Sequence, residues 1–222
     1  MDHALDATIT RVVTRIAWDV ILPRPMAERD EEIIHAVLGG NVDRYAELVD
    51  TYQGQALRVA FSVLGNLEDA QDAAQEAFVR AYRALARFHG GSAFSTWLYR
   101  IVVNACRDTY RRRARQPVVV ASVGEPESRA DDGTLFVDVN DPSADPSDQV
   151  AQRELSHRLS GTIRALPMKQ RTAFVLHHVH GLTLEEVSAV MRCRVGTVKS
   201  HIFRATGQLR RQLAPWLAQE AL

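Results

Sequence analysis

Apolar residues recur at steps of three and four along most of this chain, the period of amphipathic helices rather than of strands. From Asp30 to Arg115 the pattern is helical throughout. Ile33, Ile34, Val37 and Leu38 open it, and Gly39, Gly40 and Asn41 punctuate it. Tyr45, Leu48, Val49 and Tyr52 continue it, followed by Ala56, Val59, Ala60 and Val63. Gly65 and Asn66 predict a turn. A helix is then expected from about Leu67 to Arg87, with Ala70, Ala73, Ala74, Ala77, Phe78, Ala81 and Leu85 as its core face. A Phe-His-Gly-Gly loop leads into a helix from Ser92 to Arg113, with Ser92 as the expected N-cap. The helical period resumes from Val150 to about Leu217. Leu166-Pro167 predicts a helix with proline at its first position, ended by Gly181. No strand is read, and the Val-Asp-Val around Val137 is too short to be one.

Two stretches fall outside this order. In residues 1–25, Leu5, Ile9, Val12, Val13, Ile16 and Val20 are spaced like one helical face before Pro23 and Pro25 stop it. The segment could dock on the body, bind a regulator or be a loose tail. Residues 116–149 hold four of the eight prolines and no helical period, which reads as a flexible linker. The expected organisation is all-α. An N-terminal extension (1–29) and a helical domain (30–115) precede the linker (116–149), and a second helical domain (150–215) and a tail (216–222) follow it.

Phe88 to Arg115 holds five of the fifteen aromatic residues and six arginines with one acid, Asp108. Arginines neutralise phosphates, and aromatic rings give unpaired bases a stacking surface. Within the expected helix, Trp97, Arg100, Asn104, Arg107 and Arg111 form one polar and aromatic stripe, opposite Leu98, Ile101, Val102 and Ala105. The plainer reading is a solvated amphipathic helix with its tryptophan packed at a domain edge. On the preceding helix, Asp69, Asp72 and Glu76 form an acidic stripe beside Gln75 and Val79. Asp69 and Asp72 complement the helix dipole, whereas Glu76 lies too far along. The stripe therefore reads either as dipole complement or as a docking face for a basic or polar helix.

Nearer the C-terminus, Thr183-Leu184-Glu185-Glu186 is a capping box before a short helix to Met191. Arg192-Cys193-Arg194 makes a turn. Val195, Val198, Ile202, Ala205 and Leu209 then mark the inner face of a longer helix, whose outer positions include Thr197, Lys199, Ser200, His201, Arg204, Gln208 and Arg211. Short helix, tight turn and basic helix together read as helix-turn-helix. The alternative is a helical hairpin with a basic surface. His177, His178 and His180 cluster before Gly181, but i, i+1 and i+3 positions do not face one point. They are read as a helix end rather than as metal ligands.

Charge sharpens the division. The formal net charge is zero, from 27 basic and 27 acidic side chains, but the signs are segregated. Residues 28–50 carry seven acids and two arginines, and the linker carries eight acids and one arginine. No acid lies between Val187 and Gln219, where six Lys or Arg residues sit. Such blocks suit a chain that meets nucleic acid at some surfaces and protein at others. The two cysteines, Cys106 and Cys193, form no metal or disulfide pattern, which makes a cytoplasmic location the expectation. No apolar run approaches the roughly 20 residues of a bilayer span, and the N-terminus lacks a secretory pattern. No P-loop or nucleophile–base set appears, and no cofactor, metal or catalytic residue is expected.

The stretches LEDAQDAAQEAFVRAYRAL, FHGGSAFSTWLYRIVVNACRD and ALPMKQRTAFVLHHVHGLTLEEVSAVMRCRVGTVKSHIFRA, with an acidic linker between the second and third, resemble the extracytoplasmic-function subfamily of the bacterial sigma-70 factors. The resemblance spans roughly residues 30–213. It implies a region 2 helical bundle at 30–115, a region 4 helix-turn-helix at 150–215, and a sigma factor rather than an enzyme. It further implies that Asp69, Asp72, Gln75, Glu76, Phe78 and Val79 meet the clamp helices of the polymerase β′ subunit. Phe88, Ser92, Phe94, Trp97, Arg100, Asn104, Arg107 and Arg111 would recognise the minus-10 element and hold it open. Thr183, Arg194, Thr197, Lys199, Ser200, His201, Phe203 and Arg204 would face the minus-35 duplex. Implied partners are core RNA polymerase, including its β flap, promoter DNA as duplex and single strand, and an anti-sigma factor. Arg194 and His201 depart from the family pattern, which usually has Pro or Ser at the first position and commonly Arg at the second. The competing reading is a stand-alone helix-turn-helix regulator of duplex DNA.

Overall fold

The computed structural model describes residues 28–115 and 157–220, which fall in two separate units; side chains are described up to residue 214. The expected linker and the N-terminal apolar stripe lie outside the described residues. Every regular element among the described residues is helical.

In the first unit, α1 (Glu28–Leu38) leads through a short 3-10 turn (Val42–Arg44) into α2 (Tyr45–Leu64). Gly65 ends α2 at φ 76°, a left-handed conformation that only glycine adopts without strain. Asn66 then caps α3 (Leu67–Ala84), its side chain accepting the Asp69 N–H at 2.9 Å. A 3-10 turn (Leu85–Arg87) and an open loop connect to α4 (Phe94–Arg115). Helices α2, α3 and α4 pack on one another, and α1 lies against α2 and the Leu85–Arg87 turn. The core is the one that periodicity marks: Leu48, Ala56, Val59, Ala60, Ala70, Ala77, Ala81, Leu98 and Val102 are buried. The alanine face of α3 lets neighbouring helices approach closely, so that larger side chains from α2 and α4 fill the space.

Three local expectations are corrected. Leu38 is 49% exposed rather than part of the core, because it ends α1 where Gly39 and Gly40 turn the chain away. The α4 helix starts at Phe94, and Ser92 does not cap it. The Ser92 hydroxyl reaches only the Ala93 carbonyl, at 3.4 Å, while that carbonyl accepts the Trp97 N–H. Burial of Phe94 anchors this helix start in place of a polar cap. In the second unit, Pro167 stands one residue before the helix, with ψ 138°, and its carbonyl accepts the Gln170 and Arg171 N–H groups.

The second unit begins with α5 (157–164), followed by α6 (Met168–Phe174), which continues into a π-helical turn at Val175–Val179. Gly181, at φ 68°, ends this element, as the sequence predicts. Next come α7 (Leu184–Met191) and α8 (Val195–Glu220). Leu159, Ile163, Leu166, Phe174, Leu176, Val187, Val198, Ala205 and Leu209 form its core.

One buried polar contact ties α1 to α2: the Tyr52 hydroxyl donates to the Asp30 carboxylate, both residues being 5% exposed. Removing the donor strands a buried acid, which costs more than the bond is worth in water. Tyr52→Phe is expected to lower stability by about 1.5–3 kcal/mol in urea denaturation. An unchanged midpoint would show that the contact contributes nothing.

Candidate protein-docking and nucleic-acid surfaces

The acidic stripe is real but not uniform. Asp72, Gln75, Glu76 and Val79 are exposed on α3. The Asp69 side chain is only 14% exposed and pairs with Arg113 of α4 at 2.7 Å. Burial pushes the Asp69 carboxyl upward, an effect that Arg113 partly offsets. Glu76 accepts from Arg80 at 2.8 Å, and Arg80 reaches across to Asp108 at 2.7 Å. The Glu76–Arg80 pair is legible as an i,i+4 spacing, whereas the two bridges to α4 need the fold. Such part-exposed pairs are worth at most about 1 kcal/mol each, so they orient the stripe without locking it.

Gln75 and Val79 stand on a ridge between two grooves. One, of about 810 Å³, runs between α2 and α3 and is lined by Tyr45, Val49, Leu57, Phe78, Val79 and Tyr82, among others. Phe78 is 9% exposed, so it offers the groove an edge rather than a face. The Tyr45 hydroxyl donates to the Phe78 carbonyl at 2.8 Å, and its ring meets Tyr82 edge-on at 5.0 Å. The other groove, of about 690 Å³, is polar and lies between α3 and α4, with Asp72, Glu76, Arg80, Asp108 and Arg112 in its walls.

At the start of α4 the structure corrects the expected aromatic stripe. Phe94 is fully buried and Trp97 is 7% exposed, so neither stands on the open face with Arg100, Asn104, Arg107 and Arg111. Phe94 touches Tyr52 and Phe88 at ring distances of 5.2 and 5.7 Å, and Trp97 touches Phe88 and Phe94 at 5.3 and 5.6 Å. These aromatics brace one another and hold half-buried Phe88 beneath the exposed His89–Ser92 loop. Gly90 there has φ 72°, so the loop needs its glycine. Arg100, Asn104 and Arg107 are partly exposed beyond the cluster, and Arg111 is exposed. Cys106 is buried beneath them, its thiol pushed up to about 12 by that burial, which keeps it from acting as a thiolate.

The helix-turn-helix forms as read. Thr183 and Glu186 make both capping-box bonds, at 3.2 and 2.8 Å. The turn holds a feature the sequence hides: Arg192 sits at φ 53°, where glycine is usual, and the Ser188 hydroxyl donates to the Cys193 carbonyl beside it at 2.9 Å. On α8, Thr197, Lys199, Ser200, Phe203 and Arg204 are exposed, Phe203 by 81%, and Arg194 is exposed just before the helix. The Ser200 hydroxyl donates back to the Gly196 carbonyl at 2.9 Å, which leaves its lone pairs outward. His201 departs from the expected row. It is half-buried, its Nδ1 is buried without a partner, and its pKa is lowered by burial, Lys169 and Arg204. Lys199 and Phe203 also edge a groove of about 470 Å³ with His177, His178, Leu184 and Ile202.

The histidines do not converge as metal ligands: among the described residues no group of three candidate ligands forms. His177 Nδ1 meets the Leu182 carbonyl at 2.7 Å and pins the loop into the helix-turn-helix. His178 packs on Phe174 at 4.7 Å, and burial, with His177 second, lowers its pKa to about 4. Between pH 6.5 and 4 the unfolded chain binds a proton that the folded chain refuses. Stability of this unit is therefore full above about pH 6.5 and falls as pH drops toward 4. The expected loss is on the order of 2–3 kcal/mol, and His178→Phe should flatten it. Equal unfolding midpoints at pH 7 and pH 4.5 would contradict this.

Among the described residues no helix is long and apolar enough to cross a membrane. Residues 48–116 match the family model for Sigma-70 region 2, and residues 156–209 match that for Sigma-70 region 4. RNA polymerase sigma-H factor of Pseudomonas aeruginosa is 35% identical, over 86% of this chain and 97% of its own length. ECF RNA polymerase sigma factor SigW of Bacillus subtilis is 36% identical over 81% and 94%. ECF RNA polymerase sigma-E factor of Escherichia coli K12 is 33% identical over 84% and 95%. Two solved structures share the fold. Sigma factor RpoE in complex with anti-sigma factor NepR, from Bartonella quintana, gives a TM-score of 0.56 at 21% identity, covering 77% of this chain and 96% of its own. CnrH in complex with the cytosolic domain of CnrY gives 0.56 at 24%, covering 85% and 99%.

Proposed function

The chain belongs to the extracytoplasmic-function sigma factors of the sigma-70 family, and from that premise we propose how its surfaces divide the work. It is an alternative sigma factor that binds core RNA polymerase and promoter DNA and directs promoter-specific initiation, rather than a stand-alone regulator. The finer assignments that follow are our reading.

Core polymerase docks on α3. Asp72, Gln75, Glu76 and Val79 present the contact surface to the β′ clamp helices, Phe78 supplies an apolar edge, and Asp69 holds α4 in register through Arg113. The exposed ridge between two grooves supports this, because it suits a helical partner with both apolar and basic positions. The second unit rests on the β flap and reads the minus-35 duplex. Capping by Thr183 fixes α7, and the exposed Thr197, Lys199, Ser200, Phe203 and Arg204, with Arg194, face the major groove, where Lys and Arg donate to guanine edges. His201, turned partly inward, shapes the helix rather than reading a base.

Melting the minus-10 element means unstacking bases, at a cost of a few kcal/mol per base. Binding of the opened strand offsets part of that. The observation that carries the reading is α4 itself: one helix whose start is core and whose outer side is a row of Arg100, Asn104, Arg107 and Arg111. We assign the flipped base to the His89–Ser92 loop over Phe88. Phe94 and Trp97 are the packed floor that positions the pocket, and the arginines hold phosphates. No bond-making step is assigned to this chain, which we place in the cytoplasm with its polymerase. As for RpoE with NepR, an anti-sigma factor is the proposed inhibitor.

The test is initiation on duplex and pre-opened promoters. Arg100→Ala with Asn104→Ala should impair initiation on duplex DNA, and an artificial bubble should largely restore it; equal loss on both templates rejects the melting role. Trp97→Ala, by contrast, should first cost about 3–5 kcal/mol of stability, whereas an unchanged melting temperature would mean that Trp97 is not a packing residue. Separately, Lys199→Ala or Arg204→Ala should weaken minus-35 binding by about 1–3 kcal/mol per lost base contact. Affinity that stays the same across promoter variants removes them as readers.

A further inference from the structure

One acid stands in the cationic row of α4. Asp108 is the single carboxylate among residues 88–115, where six arginines sit. It falls four residues after Asn104, three before Arg111 and four before Arg112, and its side chain is 50% exposed. A carboxylate at that place works against phosphate binding in two ways. It repels the strand, and its spacing lets it draw Arg111 or Arg112 onto itself, because residues three and four apart are neighbours on a helix.

Neither capture occurs. Among the described residues Arg111 and Arg112 make no ion pair, and Arg112 donates instead to the Thr109 hydroxyl at 3.1 Å. Asp108 takes its cation from another helix: Arg80 of α3 donates from Nη1 to Oδ2 at 2.7 Å. The guanidinium is aimed by its own helix, since its Nε donates to Glu76, four residues back, at 2.8 Å. Arg80 and Asp108 both line the polar groove between α3 and α4, so the carboxylate is turned toward α3. The bridge is half-exposed and screened, and adds little to folding. What it changes is which arginines the acid occupies.

We propose that Arg80 is a positioning residue for strand binding: it holds Asp108 toward α3 and thereby leaves Arg111 and Arg112 free for phosphates. The inference rests on the reading of α4 as the surface that binds the opened strand. Arg80 touches neither base nor phosphate and acts through Asp108. Without it, Asp108 turns to Arg111 or Arg112 and withdraws one cation from the DNA.

A double-mutant cycle tests this on the purified complex of the full chain with core polymerase, so that changes in docking do not enter. Affinity for a single-stranded minus-10 oligonucleotide is measured over a range of salt for the native chain, Arg80→Ala, Asp108→Asn and the double variant. Arg80→Ala should weaken binding about threefold to fivefold, the size of one screened charge pair. It should also flatten the slope of log K against log salt by about 0.7, the loss of one phosphate contact on a single strand. Asp108→Asn should change little in the native chain but restore both affinity and slope when Arg80 is absent. Equal gains from Asp108→Asn in both backgrounds overturn the proposal, because charge would then simply add. So does a loss in Arg80→Ala that Asp108→Asn leaves in place, which would mean that Arg80 meets the strand itself. Unchanged binding in Arg80→Ala overturns it too. Arg100→Ala with Asn104→Ala, measured alongside, separates the two readings: if that variant loses affinity and Arg80→Ala does not, α4 still binds the strand and only the role of Arg80 fails.

Discussion

The start of α4 is enclosed on all sides, and most of the first unit depends on that enclosure. Phe94, Ser95, Thr96, Trp97, Leu98 and Tyr99 are six consecutive buried residues. Rings from α2, the preceding loop and α4 meet there, and each aromatic contact adds about 0.5–1.5 kcal/mol beyond burial. With its first turns fixed this way, α4 can carry its arginines outward without being pulled loose by the charge they gather. A helix held only by a solvated face would be a poor platform for the strand binding that we propose for it. Binding energy spent on DNA would go into ordering the helix instead.

The same fixed helix links the two faces to which the work of the unit is assigned in our proposal. Arg113 reaches Asp69, and Arg80 bridges Glu76 and Asp108, so the α3 stripe is tied directly to the helix that carries the cationic row. These pairs are individually weak. Their effect is registry: they hold α3 and α4, and with them the proposed docking ridge and the proposed DNA-facing row, at one angle. In the second unit the analogous constraint is local. The capping box, the left-handed Arg192 and the Ser188 clamp on the Cys193 carbonyl together set the angle between α7 and α8.

Much of this was legible in the sequence because it rests on period and caps. The alanine face of α3, the Gly65–Asn66 turn, the Thr183 capping box and the inner face of α8 are local signals, and they agree with the packing. Trp97 was misplaced for a physical reason. A two-faced reading of a helix assumes one side in water, and the first turns of α4 have no such side. Ser92 was misplaced because burial of Phe94 competes successfully with a polar cap. The inward turn of His201, the pairing of Asp69 with Arg113 and the left-handed Arg192 depend on neighbours far away or on backbone geometry, neither of which spacing reports.

The central claim is that this chain opens promoter DNA only as part of the polymerase and by means of the α4 surface. Permanganate reactivity of minus-10 thymines reads this directly, on one promoter, with the chain alone, core polymerase alone, and both together. Reactivity is expected only with both, and it should vanish when Arg100, Asn104 and Arg107 are replaced together by alanine in a chain that still binds polymerase. Reactive thymines with the chain alone, or undiminished reactivity in the triple variant, would contradict it.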